Sequence, residues 1–200
     1  MLAGSPDALL VDRAWLRSED VQAFVSVGAM VHGWSLIVPR THVLNLSDCY
    51  RSARFWDFAA EAHQVVSQTY GHATIFEHGC QDENSATSCS TVHAHLHVVP
   101  LPFDLIRAAK ASAPSLGWKP CAAADVKDIV GDREYLFASN TFCGYGTEGW
   151  IALLDRGESQ FFRRVIASKL DRPNEFDYRR FPQHVVADAS VGALKAAATP

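Results

Sequence analysis

The sequence predicts an α+β fold in which one long helix packs against an antiparallel-rich sheet, and three observations favour this class. Short segments of alternating or continuous apolar residues, bounded by glycine and proline, are typical of strands. One longer segment repeats its apolar positions at helical spacing. The order strand, strand, helix, strand, loop, strand places that helix on one face of the sheet. Because 48% of the 200 residues are hydrophobic, the chain can bury a sizeable core.

The first half of the chain contains the elements that support this class. The predicted strands, which are short and rich in apolar residues, are residues 23–27, 35–38, 73–77 and 91–100. The second of them ends at Pro39, because proline cannot donate a hydrogen bond to a sheet ladder. Apolar residues recur at helical spacing over residues 47–70, with Ser47 or Asp48 as the N-cap and Gly71 just past the end.

The last predicted strand is the most informative, because His93, His95 and His97 alternate in it with apolar residues. A strand sends every second side chain to one face, so three imidazoles are expected to line one surface. Each ring carries a donor and an acceptor that must be satisfied, which makes a row of histidines poor core material. The segment therefore predicts a functional site rather than a solvated edge strand.

Two chemistries use such a row of histidines. Alternating histidines can bind a metal, but the outer two lie about 13 Å apart on a regular strand and cannot share one ion. An adjacent pair could still bind a metal with a ligand from elsewhere. Alternatively, one imidazole attacks an electrophile while its neighbours fix its tautomer. His95 is then the nucleophile, since it alone has a histidine on each side, and a backbone carbonyl or the His93 ring holds its other nitrogen.

Two motifs resemble the histidine-triad (HIT) superfamily of nucleotide hydrolases and transferases. Residues 93–99, His-Ala-His-Leu-His-Val-Val, resemble its motif of three histidines alternating with apolar residues. Residues 33–43, Gly-Trp-Ser-Leu-Ile-Val-Pro-Arg-Thr-His-Val, resemble its glycine, strand and Pro-basic-x-His segment. The resemblance covers about residues 20–102. It implies a HIT-like fold that usually forms a homodimer, and it implies that His95 attacks the α-phosphorus of a nucleotide to give a nucleotidyl-histidine intermediate.

The third histidine bears on the reaction class. His97 is expected to hydrogen-bond a phosphoryl or bridging oxygen and so to stabilise developing charge. Relatives that transfer the nucleotide often have glutamine there, so the resemblance favours hydrolysis of a nucleoside monophosphate from a dinucleoside polyphosphate, a phosphoramidate or a nucleotide sugar. Two alternatives stay open: a nucleotidyltransferase or phosphorylase of a specialised pathway, and a non-catalytic nucleotide-binding or metal-binding module.

Candidate substrate-binding residues lie before the triad. Ser90 matches a family serine or threonine that touches phosphate or the leaving group, although a hydroxyl there could instead cap a turn. The polar loop 79–90 lies where the family often has an asparagine or glutamine that contacts phosphate, and the resemblance makes Asn84 or Gln81 the candidate for this amide. Trp34 stands where the family often has histidine, and it could stack on a base or be plain core.

Two further candidates lie on a predicted amphipathic helix over residues 160–170. Gln160 and Arg163 are the substrate-binding candidates, because an arginine could clamp a polyphosphate or a carboxylate through bidentate contacts. Arg163 and Arg164 point in different directions on a helix, so at most one of them is expected to face inward.

The chain is interpreted as two parts, a HIT domain core over residues 1–102 and a small α/β C-terminal extension over residues 103–200 that packs on it. In the second part, residues 135–138 and 150–154 predict a strand pair. The predicted helices there are residues 104–112, 123–130 and 160–170. The alanine-rich end beyond residue 183 is expected to be a loosely held tail.

Composition and charge exclude several partners. The net charge of −4 argues against nucleic-acid binding, and no segment has the length and apolar character of a membrane span. Five cysteines, an odd number in a chain with no signal-like opening, predict reduced thiols and a cytoplasmic location. No cofactor or metal is expected. A structural zinc on His78, Cys80 and Cys89 is the alternative, although their spacing is not a recognised zinc motif.

Overall fold

A computed structural model describes residues 14–88 and 93–199 and confirms the predicted α+β class. One eight-stranded antiparallel sheet packs against helices on both faces. The strands are β1 (Leu16–Arg17), β2 (Val21–Val25), β3 (Ser35–Pro39), β4 (Ala73–Gly79), β5 (Leu96–Pro100), β6 (Lys119–Ala122), β7 (Glu134–Ser139) and β8 (Glu148–Leu154). The helices are α1 (Ala53–Tyr70), α2 (Leu105–Ser112), α3 (Val126–Val130), α4 (Phe161–Lys169) and α5 (His184–Ala197). Within the described ranges, none of the helices has both the length and the apolar character needed to cross a bilayer.

Strands from both halves of the chain form one sheet, in the order β1-β2-β3-β5-β4-β7-β8-β6. The first five strands precede residue 103, and the last three belong to the C-terminal extension. The two sets meet where β4 pairs with β7, with Ile75 opposite Ser139 and Gly79 opposite Tyr135. The strand pair predicted for the extension is confirmed as β7 and β8, while a domain boundary at residue 102 stays a prediction.

Helix α1 is confirmed but begins later than the sequence predicts. A 3-10 turn at Cys49–Arg51 precedes it. Ser52, rather than Ser47 or Asp48, is the N-cap, since its side chain accepts a hydrogen bond from a backbone N–H of the first turn. The helix ends at Gly71, whose φ of 94° suits a residue without a Cβ.

The two faces of the sheet carry separate apolar clusters. Register places His97 of β5 directly opposite Leu36 of β3 and Phe76 of β4, so these three side chains share a face. That face, the α4 face, is covered by α2 and α4. The opposite face, the α1 face, packs against α1 and α5. The triad strand therefore lies on the side of the sheet that the C-terminal extension covers.

The end of the chain contradicts the expectation of a loose tail. Residues His184–Ala197 form α5, which contacts α1 and buries Val191 and Leu194. The hydroxyl of Ser190 accepts a hydrogen bond from the backbone N–H of Gly33 (3.0 Å). The expectation was wrong because the few apolar residues among the alanines repeat at helical spacing and form a face that packs on the core.

Two strands were not predicted, because both lie at edges of the sheet. β1 has two residues, and β6 has four, of which Lys119 and Pro120 are exposed. Edge strands that are short, charged or interrupted by proline lack the apolar alternation of an interior strand, and they discourage pairing with another chain.

A buried carboxyl group joins the two halves of the chain on the α1 face. Glu77 of β4 is fully buried. Its oxygens accept hydrogen bonds from the Tyr50 hydroxyl (2.7 Å), the Tyr135 hydroxyl (2.8 Å) and the backbone N–H of Leu46 (2.7 Å). Burial raises the pKa of Glu77 to about 7, and the three hydrogen bonds oppose that shift. Tyr135 belongs to the extension, so this carboxyl connects it to the N-terminal half.

The extension also packs closely on the turn between β2 and β3. Gly28 in this turn has a φ of +71°, and a Cβ there would lie 2.8 Å from Cα of Tyr178 and 2.9 Å from Nη2 of Arg163. The Gly28 N–H donates a hydrogen bond to the Pro182 carbonyl (2.7 Å). The turn therefore leaves no room for a side chain at this position.

We expect Gly28→Ala to lower the free energy of unfolding by about 2–4 kcal/mol, because backbone strain at positive φ and the steric overlap add. Gly117→Ala is the matched control, since φ is +61° there but a Cβ would meet nothing within 4 Å. The control should lose only the backbone contribution of about 1–2 kcal/mol. Denaturant unfolding measures both variants, and equal losses would mean that the contact with the extension contributes nothing.

Candidate active site

The triad segment is only partly a strand. β5 begins at Leu96, so His97 lies within the sheet while His93 and His95 precede it. The backbone amide between these first two histidines bonds to a carbonyl in the loop after β3 (2.8 Å) and not to the β3 ladder. The prediction of a regular strand over residues 91–100 is therefore wrong at residues 93–95, while residues 91 and 92 lie outside the described residues.

The middle histidine has a fixed tautomer. Nδ1 of His95 lies 2.9 Å from the carbonyl oxygen of His93. Because a carbonyl can only accept, Nδ1 carries the proton and Nε2 keeps a free lone pair. Burial lowers the pKa of His95, the hydrogen bond to the His93 backbone opposes the shift, and the charges of His93 and Arg163 add to it. The ring is therefore a neutral base near neutral pH.

The third histidine is buried between aromatic rings. His97 is 5% exposed. Its ring stacks on Phe76, with centroids 4.2 Å apart, and lies edge-on to His95 at 4.6 Å. The indole Nε1–H of Trp34 donates a hydrogen bond to Nδ1 of His97 (2.9 Å). Burial lowers the pKa of His97 well below its usual value, and the positive charges of neighbouring imidazole and guanidinium groups lower it further.

The structure corrects the hypothesis that Trp34 stacks on a base. Trp34 is fully buried, and its ring packs edge-on against Phe76 and His97. The guanidinium carbon of Arg163 lies 4.8 Å from the centroid of the indole. Because protein encloses the indole, Trp34 contacts the triad and not a nucleobase.

The first histidine pairs with a ring that sequence analysis did not assign to the site. The centroids of His93 and His42 lie 5.2 Å apart. Burial lowers the pKa of His93, hydrogen bonding to the backbone of Pro39 and Thr41 opposes the shift, and the charge of His42 adds to it. The place of His42 at the end of the second motif, residues 33–43, is the signal that could have identified it.

A fourth histidine borders the triad from the neighbouring strand. The rings of His78 and His97 lie 6.1 Å apart. Nε2 of His78 accepts a hydrogen bond from the backbone N–H of Phe162 in the first turn of α4 (3.2 Å). Burial lowers the pKa of His78 to about 3, and nearby positive charges add to the shift. The sequence suggested His78 only as a zinc ligand, and its alternation with Phe76 on β4 was the signal for this placement.

The two arginines of α4 point in different directions, as expected from their spacing. Arg163 is buried and donates hydrogen bonds to the carbonyls of Gly28 (2.5 Å) and Phe176 (2.7 Å). Arg164 is partly exposed and forms an ion pair with Glu158 (2.8 Å). The observed contacts of Arg163 join α4 to the turn between β2 and β3, and a contact with substrate stays a prediction.

The other predicted substrate-binding residues, Gln160, Gln81, Asn84 and Ser90, are described by their own contacts or lie outside the described residues. Gln160 immediately precedes α4 with a left-handed backbone, φ 51°. Gln81 donates to two backbone carbonyls of the extension (3.3 Å each), and Asn84 bonds within its own exposed turn. Ser90 lies outside the described residues. The structure thus brings Trp34 and Arg163 to the histidines. Contacts of the other four candidates with substrate stay predictions.

Two of the three residues suggested as zinc ligands form hydrogen bonds with the protein. Sγ of Cys80 donates a hydrogen bond to the Leu44 carbonyl (3.1 Å), and Nε2 of His78 accepts one from the backbone N–H of Phe162. The third position, Cys89, lies outside the described residues. Over residues 14–88 and 93–199, no group of three or more His, Cys, Asp or Glu side chains is close enough to hold a metal ion.

The geometry agrees with a comparison against known families. Residues 11–103 match the family model of the HIT domain, a span that includes both motifs and β1 to β5. None of the curated proteins matches the chain. The antiparallel sheet with α1 packed on it is consistent with a HIT-like fold. Residues 11–103, just under half of the chain, are therefore a HIT domain, the domain of the histidine-triad superfamily, whose members are mostly nucleotide hydrolases and transferases.

Proposed function

We propose that the protein is a nucleotide hydrolase that cleaves a nucleoside monophosphate from a phosphate-linked conjugate through a nucleotidyl-histidine intermediate. The tautomer of His95 carries this proposal. Its Nδ1–H donates to the His93 carbonyl, which leaves the lone pair of Nε2 free to attack. Because the ring is neutral near neutral pH, no proton has to leave before attack.

The reaction consists of two displacements at phosphorus. Nε2 of His95 bonds to the α-phosphorus, the bond to the leaving oxygen breaks, and that oxygen departs with the bonding pair. Water then attacks the intermediate, the P–N bond breaks, its electron pair returns to Nε2, and one proton of the water passes to solvent. His97 donates a hydrogen bond that stabilises charge on the transferring group.

The C-terminal extension contributes positive charge to this site. Arg163 is close enough to His95 and His97 to lower the pKa of both rings. The same charge favours the binding of an anionic nucleotide over the triad. Contacts of Ser90, Asn84, Gln81 and Gln160 with the phosphates belong to this proposal.

Intact-protein mass spectrometry after incubation with a panel of nucleotide conjugates tests the proposal. The expected result is an adduct with the mass of one nucleotidyl group on the peptide that contains residues 93–97, together with release of nucleoside monophosphate. Turnover should persist in the presence of a chelator, since the nucleophile is an imidazole. A strict requirement for a divalent metal would contradict the proposal. Turnover that is stopped before completion and shows no nucleotidyl adduct would also contradict it.

Added inorganic phosphate separates hydrolysis from transfer. A phosphorylase would release the nucleoside diphosphate under these conditions, whereas a hydrolase continues to release the monophosphate. His97 favours hydrolysis, because family members that transfer the nucleotide often have glutamine at that position.

A homodimer and a cytoplasmic location stay predictions and are part of this proposal. The outer edge of β4 pairs with β7 of the same chain, so a second copy would have to bind elsewhere. Among the described cysteines, Cys49, Cys121 and Cys143 are free thiols, which suits a reducing compartment.

A further inference from the structure

The hydrogen bond between Trp34 and His97 determines which nitrogen of His97 carries a proton. An indole N–H can donate and cannot accept. Nδ1 of His97, 2.9 Å from the indole nitrogen, is therefore the acceptor and keeps its lone pair. The proton of the neutral ring must then lie on Nε2, the nitrogen remote from Trp34.

The surroundings of His97 disfavour a second proton. Phe76 covers one side of its ring, and the titratable groups that act on it, His95 before β5, His78 on β4 and Arg163 on α4, are all cationic when charged. The guanidinium of Arg163 also lies over the indole of Trp34, which helps to hold the donor in place. His97 is thus a neutral ring with one fixed donor.

A neutral imidazole donates a hydrogen bond but is a far weaker acid than an imidazolium. It can stabilise negative charge on an oxygen, yet it cannot readily give its proton away, because an imidazolate would form in a buried site. A leaving group at this site must therefore depart without a proton from His97.

We propose that the site is specific for phosphoric anhydrides, whose leaving oxygen departs as a stable phosphate anion, and that Trp34 is the positioning residue that imposes this specificity. The inference rests on the proposed function and selects among its substrates. When Nε2 of His95 attacks an anhydride, the P–O bonding pair stays on the leaving phosphate and no proton moves. In a phosphoramidate, the departing nitrogen must gain a proton as the P–N bond breaks, and His97 cannot supply it.

The tautomer can be measured without any substrate. Long-range proton–nitrogen NMR of the full chain with ¹⁵N-labelled histidine should show His97 protonated at Nε2 only, near neutral pH. In Trp34→Phe the indole donor is gone, so a signal from the Nδ1–H tautomer is expected. Trp56→Phe is the matched control, because that indole donates to the Tyr50 carbonyl (2.8 Å) on the α1 face. Wild-type His97 protonated at Nδ1, or at both nitrogens, would overturn the proposal even if Trp34→Phe failed to fold.

Substrate preference is measured with paired conjugates of one nucleoside, diadenosine tetraphosphate and adenosine 5′-(N-alkyl)phosphoramidate, and with the matching guanosine pair. We expect kcat/KM to favour the anhydride by about 100-fold or more, as for other steps that lack a general acid. Trp34→Phe should lower kcat for the anhydride by about tenfold or more with little change in KM, and Trp34→His, which keeps a ring N–H, should restore part of the loss. Trp56→Phe should keep the wild-type kcat.

The outcomes distinguish this inference from the proposed function. Equal or faster turnover of the phosphoramidate, with the nucleotidyl adduct present, overturns the specificity and leaves the covalent mechanism intact. No adduct and no turnover with any conjugate, while His97 has the expected tautomer, overturns the proposed function and the specificity with it.

Discussion

We expect His95→Ala to abolish turnover, with a loss in kcat of about 1,000-fold or more, as found when a catalytic nucleophile is removed. The reason is that Nε2 of His95 belongs to a neutral ring and keeps a free lone pair, whereas Nε2 of His93 is buried. His97 cannot replace it, because its Nδ1 is occupied by the indole of Trp34. Single-turnover assays and intact-protein mass spectrometry measure the loss of rate and of the adduct.

His72→Ala is the control for this variant, since His72 is an exposed histidine outside the triad, and it should keep the wild-type rate and adduct. The circular dichroism spectrum and the denaturation midpoint of His95→Ala should also match the wild type, because the side chain is only half-buried. Normal turnover by His95→Ala would remove the basis of the proposed mechanism.

The largest expected effect on stability belongs to Glu77. Glu77→Leu would leave the hydroxyls of Tyr50 and Tyr135 and the N–H of Leu46 buried without their acceptor. With about 1–3 kcal/mol for each unsatisfied group, we expect a loss of about 3–5 kcal/mol in the free energy of unfolding. Glu77→Gln keeps an acceptor oxygen and nearly the same shape, so it should lose much less. Urea unfolding monitored by tryptophan fluorescence measures both, and similar losses would show that the hydrogen bonds are not the cause.

Glu77 also makes stability depend on pH. The pKa of Glu77 is about 7 in the folded protein against an ordinary value of 4.5, so the folded state binds the proton more tightly. This stabilisation is complete below about pH 4.5 and is lost as the pH rises through 7, a change of about 3 kcal/mol. Buried neutral histidines such as His97 act in the opposite direction, because their pKa is lowered.

The difference between wild type and Glu77→Gln isolates the contribution of this carboxyl group. The advantage of the wild type over Glu77→Gln should shrink between about pH 5 and pH 8. Urea unfolding at several pH values measures it. Parallel pH profiles for the two proteins would show that Glu77 ionises in the folded state as it does in water.

Local patterns explain what could be predicted from the sequence. The interior strands β2, β3 and β4 and the helix α1 follow from short-range periodicity and from capping or stop residues such as Pro39 and Gly71. The proposed role of His95 follows from its position between two histidines. Even its orienting group was one of two alternatives, a backbone carbonyl or the ring of His93, and the structure selects the carbonyl.

What could not be predicted depends on contacts between distant residues. Trp34 and His97 are 63 residues apart, and His78 and Phe162 are 84 apart. No local pattern indicates that an indole donates to one triad ring or that a helix of the extension donates to a fourth. Trp34 could be interpreted as a base-stacking residue because the covering of the α4 face by α2 and α4 was not foreseen.

Because β4 pairs with β7, the segment that matches the family and the segment that we expect to fold as one cooperative unit have different limits. A chain cut after residue 102 would leave a row of unpaired peptide groups along β4 and an uncovered aromatic surface around Phe76. Such a fragment would contain every triad histidine and both family motifs, yet it would lack the helices that bury His97 and Trp34. We therefore expect the half of the chain that carries the family motifs to depend on the other half for its fold and for the surroundings of the triad.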